Sequence, residues 1–68
     1  MLISEAVAEA MQTRACIKRK CHDWPIGIKI MPTNTSDCCV LLAKNKAPCR
    51  GWEPQAKDLI ADDWEIVK

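Results

Sequence analysis

The sequence predicts a small α+β domain: one antiparallel β-sheet of four to five strands carrying two short helices, completed by self-association into a homo-oligomer. Three observations predict it. Apolar residues recur at helical spacing as far as Met11, then alternate with polar ones from Arg14 onward, as when a helix feeds a strand. Turn-forming stretches at 32–37 and 44–48 cut the remainder into strand-length pieces. Finally, 68 residues make a single domain, 1–68, which buries only about 60% of its unfolded surface. A metal, disulfides or partner copies are therefore a fair expectation.

In chain order, Ser4 is a good N-cap and Glu5 complements the dipole of a first helix over residues 4–12. Ile3, Val7, Ala10 and Met11 share one side of it, and Ala6, Ala8 and Ala10 keep its packing face flat. A strand follows, in which Ala15, Ile17 and Arg19 alternate with Cys16, Lys18 and Lys20, leading to a polar turn at 21–23. A second strand, Ile26 to Met31, sets isoleucines 26, 28 and 30 against Gly27 and Lys29. After the loop at 32–37, the apolar run Cys38 to Ala43 suits a strand buried on both faces, a burial hard to arrange without a second subunit. Cys49 to Trp52 pairs briefly. Pro54 then presets a first helical position, giving a helix to Ala61 with Leu59 and Ile60 turned to the core. Asp62-Asp63 stops it. A last strand, Trp64 to Val67, puts Trp64 and Ile66 on one face.

Composition narrows the function classes. Ten basic and nine acidic residues leave a net charge of +1, which argues against nucleic acid as the partner. No run approaches the roughly 20 apolar residues that span a bilayer. The start Met1-Leu2-Ile3-Ser4-Glu5 has neither the basic nor the apolar part of a secretion signal, so a cytoplasmic setting is expected.

Five cysteines (16, 21, 38, 39 and 49) and one histidine, His22, are the possible metal ligands or nucleophiles. Zinc sites want ligand pairs two to four residues apart, twice over, and these spacings do not supply them. An odd count in a cytosolic chain disfavours disulfides. Cys21 alone has a basic neighbour, and adjacent side chains rarely aim at one another, so catalysis is not expected. The cysteines read as core thiols. No metal or cofactor is called for.

The cluster Arg14, Lys18, Arg19 and Lys20 runs towards Trp24. Its plain reading is a solvated strand face with a core tryptophan. Its functional reading is a nucleotide site: an indole to stack on a purine, Arg19 or Lys18 for phosphates, and Asp58 or Asp63 for ribose hydroxyls. Both stay open on these grounds.

The pattern Trp52-x-Pro54-x-x-x-Asp58-Leu59-x-Ala61-x-Asp63-Trp64 resembles the C-terminal motif of the Thoeris anti-defence two-like domain, a family of small phage and prophage proteins. The resemblance is strong over 51–67, moderate over 3–24 and absent between 32 and 48. Gln55-Ala56 stands where the family usually has Ser-Gln, and Asp23 and Pro25 flank Trp24 where it has glycine and asparagine. The resemblance implies a non-enzymatic sponge that binds a cyclic ADP-ribose isomer or a cyclic dinucleotide without cleaving it. It implies a homotetramer with pockets between subunits, Trp24 as the ligand-facing indole, and Lys18 and Arg19 as the basic pair. Of the two tryptophans flanking the terminal motif, Trp64 suits the core and Trp52 is left to line the pocket. The expected binding set is thus Trp24, Lys18, Arg19, Trp52, Asp58 and Asp63. Two rivals stand beside it: a module that binds a host or phage protein through the basic strand, and a small nucleic-acid binder using 18–20 and Trp24.

Overall fold

A computed structural model describes residues 1–21, 24–25, 27–36, 39–43 and 46–67. The first helix, α1, spans Ile3–Thr13. It starts one residue earlier than the sequence predicts, with Leu2 rather than Ser4 at the N-cap. Leucine has no side-chain acceptor, so the free N–H is met from inside the helix: Glu5 Oε1 accepts the Leu2 N–H at 2.9 Å. Arg14 ends the helix in the left-handed region at φ 56°, and its N–H and that of Ala15 both close on the Ala10 carbonyl. Ala6 and Ala10 are buried, and Ile3 and Val7 pack beside them. Ala8 and Met11 are exposed, because the contact face is only two small residues wide.

Four strands form one antiparallel sheet: β1 Cys16–Arg19, β2 Ile28–Pro32, β3 Cys39–Ala43 and β4 Trp64–Val67, in the order β3-β2-β1-β4. The alternation in 15–20 holds, with Ile17 opposite both Ile30 and Ile66. Ile17, Ile30 and Trp64 are fully buried and, with Ala6 and Ala10, make the core between α1 and the sheet. Ile26 and Cys38, expected as strand starts, and most of the expected turn at 21–23 lie outside the described residues. Pro32 closes β2 instead of opening the loop.

β3 is not covered on both faces. It is an edge strand in which Val40 is buried and Cys39, Leu41, Leu42 and Ala43 are half-buried. Its outer edge is partly closed. Leu41 and Cys49 exchange backbone hydrogen bonds of 2.8 and 2.9 Å, and the Trp52 N–H donates to Cys39 O at 2.8 Å. The expected brief pairing of 49–52 is this bridge, which blunts an otherwise sticky edge.

The second helix, α2, is shorter than expected, Ala56–Ile60, with Gln55 at the N-cap and Pro54 outside the helix. Leu59 and Ile60 do not face the core: they are 53% and 81% exposed, while Asp58 is buried. At 100° per residue, a helix of little more than one turn that points position 58 inward must carry 59 and 60 outward. Asp58 is drawn in because its side chain serves Gln55 and Arg19 and its backbone carbonyl serves Trp64. Among the described residues, no helix is long and apolar enough to cross a membrane.

Candidate functional site

Alternation along β1 sends its two cations to opposite faces of the sheet. Arg19, directly opposite Trp64, lies on the helix-covered face with Ile17; Lys18, opposite Glu65, lies on the open face. The two expected phosphate ligands therefore sit in different surroundings.

On the covered face each of the three Arg19 guanidinium nitrogens has a carboxylate partner. Its Nε donates to Asp63 Oδ1 at 2.8 Å and one terminal nitrogen to Asp63 Oδ2 at 3.2 Å, a two-point pairing of guanidinium and carboxylate. The other terminal nitrogen donates to Asp58 Oδ1 at 3.2 Å. Asp58 Oδ2 accepts the Gln55 N–H at 3.0 Å and so caps α2. The hydrogen bond from Arg19 holds the Asp63 carboxyl below the usual carboxylate value, against the opposing effect of desolvation. Asp63 in turn raises the Arg19 pKa above its already high value. The network ties β1 to α2 and to the start of β4.

Beside it stand three indoles. Trp24 and Trp52, Trp24 and Trp64, and Trp52 and Trp64 lie with ring centroids 6.4, 5.7 and 6.4 Å apart and planes inclined by 74°, 73° and 78°. Each ring presents an edge to a neighbour's face, the arrangement that aromatic quadrupoles favour, worth about 0.5–1.5 kcal/mol per pair beyond burial. Trp64 is buried and donates its indole N–H to Asp58 O at 2.9 Å. Trp24 and Trp52 are half-buried, and the Trp24 indole N–H donates to Ile28 O at 2.8 Å. The structure thus brings five of the six expected residues, Trp24, Arg19, Trp52, Asp58 and Asp63, into one continuous cluster with Trp64. Lys18 is separated from them by the sheet.

The open face carries two rows. Val40, Met31, Cys16 and Val67 form an apolar one; Leu42, Lys29, Lys18 and Glu65 form a mixed one, in which Lys18 Nζ lies 3.3 Å from Glu65 Oε1. Lys18 and Lys29 line a groove of about 430 Å³ with Gly27, Ile28, Leu42 and Val67. Lys29 was not among the expected residues. Its only signal in the sequence is a lysine between isoleucines, and its neighbour across the sheet depends on strand register.

Cys16 is buried and Cys21 and Cys39 half-buried, but Cys49 is exposed on the edge bridge, contrary to its expected place in the core. Among the described residues, no three His, Cys, Asp or Glu side chains gather as a metal site would require.

No curated protein and no solved structure matches the chain. A family model does, the Thoeris anti-defense 2-like domain, over residues 1–67. The match runs through 32–48, where motifs alone show no likeness. With the whole folded unit covered, from α1 to the last residue of β4, the chain belongs to the Thoeris anti-defense 2-like domain family.

Proposed function

We propose that this chain is a non-enzymatic anti-defence sponge: it binds a cyclic nucleotide immune signal, a cyclic ADP-ribose isomer or a cyclic dinucleotide, and withholds it uncleaved in the host cytoplasm. The observation that carries the reading is the family match over residues 1–67, since the family's name ties it to defeating the Thoeris defence. Depletion is stoichiometric. The affinity must exceed that of the effector, which calls for a Kd below about 1 μM, or about −8 kcal/mol.

The geometry supports a division of labour within the expected residues. Trp24 and Trp52 are half-buried indoles with surface left for a purine to stack on. Lys18, a half-exposed cation on the opposite face of the sheet, would meet the phosphate of a nucleotide stacked on a neighbouring copy's indoles. Arg19, Asp58 and Asp63 already satisfy one another, so they act by holding α2 and β4 in place around the indoles. Assembly into a homo-oligomer, with a tetramer the form the family resemblance implies, completes the site. Met31 and Val67, the accessible members of the apolar row on the open face, would be the seam met by a second copy. Ligand bound between copies would stabilise the assembly by mass action.

The test is native mass spectrometry of protein recovered from cells making such signals, followed by denaturation. An oligomer that carries the signal and releases it intact supports the reading; a released cleavage product would make the protein an enzyme. A second reading, a module that docks on a host or phage protein, is favoured by exposed Leu59 and Ile60 on α2. It would show as a captured protein together with no heat of binding against a panel of cyclic nucleotides.

A further inference from the structure

We propose that the groove on the open face of the sheet is an anion site, in which Lys18 and Lys29 together receive the phosphates of a ligand whose apolar part rests on Leu42 and Val67. The register carries the argument. Ile17 pairs with Ile30 across antiparallel β1 and β2, and the next position along sets Lys18 against Lys29. Like charges directly opposite one another in a sheet repel and weaken it. Among the described residues one carboxylate, Glu65, pairs with either cation, and it is engaged with Lys18 at 3.3 Å. Lys29 is half-buried and, among the described residues, its side chain has neither a hydrogen bond nor an ion pair. Two ammonium groups side by side along one groove, one of them without a counter-charge among the described residues, present a positive field that an incoming anion would answer.

The surroundings suit such a ligand. The groove holds about 430 Å³, within the range of small-molecule sites, and its remaining walls are largely aliphatic. Gly27, at φ 83°, brings backbone without a side chain to the rim. The Trp24 indole bonds Ile28 at the same rim, so the aromatic cluster on one face holds the mouth of the groove on the other. This inference deepens the sequestration reading and rests on it for the identity of the natural ligand, whereas affinity for phosphate stands without it.

The experiment is a 1H–15N NMR titration of the intact protein with inorganic pyrophosphate, and separately with a cyclic ADP-ribose isomer, repeated on Lys29→Ala and Lys29→Arg. Pyrophosphate should shift the amides of Lys18, Lys29 and Leu42 first. Lys29→Ala should weaken its binding by about tenfold or more, the scale of one charge-assisted hydrogen bond, while Lys29→Arg retains it. Shifts confined to other residues, no shifts at all, or equal affinity in Lys29→Ala would overturn the proposal. So would a groove that ignores pyrophosphate while Lys29→Glu dissociates an oligomer, since carboxylates of a second copy would then be its occupants. Pyrophosphate bound in the groove with no cyclic nucleotide retained would leave this site standing and remove the sequestration reading. Cyclic nucleotide retained equally by wild type and Lys29→Ala would do the reverse.

Discussion

The two faces of the sheet carry basic residues from the same short strand and use them differently. On the covered face Arg19 meets two carboxylates, and the Gln55 N–H and the Trp64 indole donate into the same network. On the open face, among the described residues, Lys18 pairs with Glu65 and Lys29 beside it has no ion pair. The first arrangement spends its charge on holding the fold together. The second keeps charge in reserve, and reserve charge is what a binding surface needs. Stability should therefore follow the covered face and ligand affinity the open one.

The strongest way to break that comparison is Trp64→Ala. Removing a fully buried indole that also packs against two others should cost about 3–5 kcal/mol, most of the stability of so small a domain. Urea unfolding would measure it, and a loss under about 1 kcal/mol would mean the three-indole cluster is not what holds α2 and β4. Asp58→Ala comes next, at about 1–3 kcal/mol, because the Gln55 N–H loses its cap and the Arg19 guanidinium one acceptor. Asp58→Asn, which keeps an acceptor, should recover part of the loss in a thermal melt; no recovery would count against the cap.

Acid sharpens the contrast. The folded-state pKa of Asp63 is lowered by Arg19, so its contribution to stability is present above the unfolded carboxylate value of about 3.9. That contribution fades as pH falls through the lower folded value. Urea midpoints measured from pH 7 down to pH 3 should decline in the wild type, and the decline should be shallower in Arg19→Ala. Parallel curves would separate the acid response from this pair. On the open face, Lys18→Ala should move stability by no more than about 0.5 kcal/mol, since it loses one half-exposed ion pair, while phosphate affinity falls. An effect on unfolding as large as that of Asp58→Ala would erase the distinction between the faces. Smallest of all, Ile60→Ser should leave the melting curve of the isolated chain within the same margin, which calorimetry can check, because an isoleucine 81% exposed has little burial to lose.

The elements were legible where local periodicity is strong. Alternation at 15–20 and at Ile28–Ile30 located β1 and β2, and the helical spacing of Ile3, Val7 and Ala10 located α1. The motif from Trp52 to Trp64 pointed to the family that the match over 1–67 then showed. The misses at Leu59, Ile60 and Lys29 share one cause, partners distant in sequence. Leu59 and Ile60 look like core residues to any reading that treats apolar as buried, but α2 turns on Asp58, whose partners lie far away in sequence at Arg19 and Trp64. Ser4 looked like a cap until Glu5 took the role by reaching back to Leu2. Lys29 carried no signal because its significance comes from facing Lys18 across the sheet.

By itself the sequence determined the α+β class, the order of helix and strands, and the family, because these depend on residue patterns that repeat within a few positions or sit in one contiguous motif. Tertiary structure decided which carboxylates Arg19 holds, that three distant tryptophans meet edge to face, and that two lysines stand together on the open side of the sheet. Those outcomes depend on register and on which face a side chain takes. A shift of one residue in a strand reverses both, and local composition would stay the same.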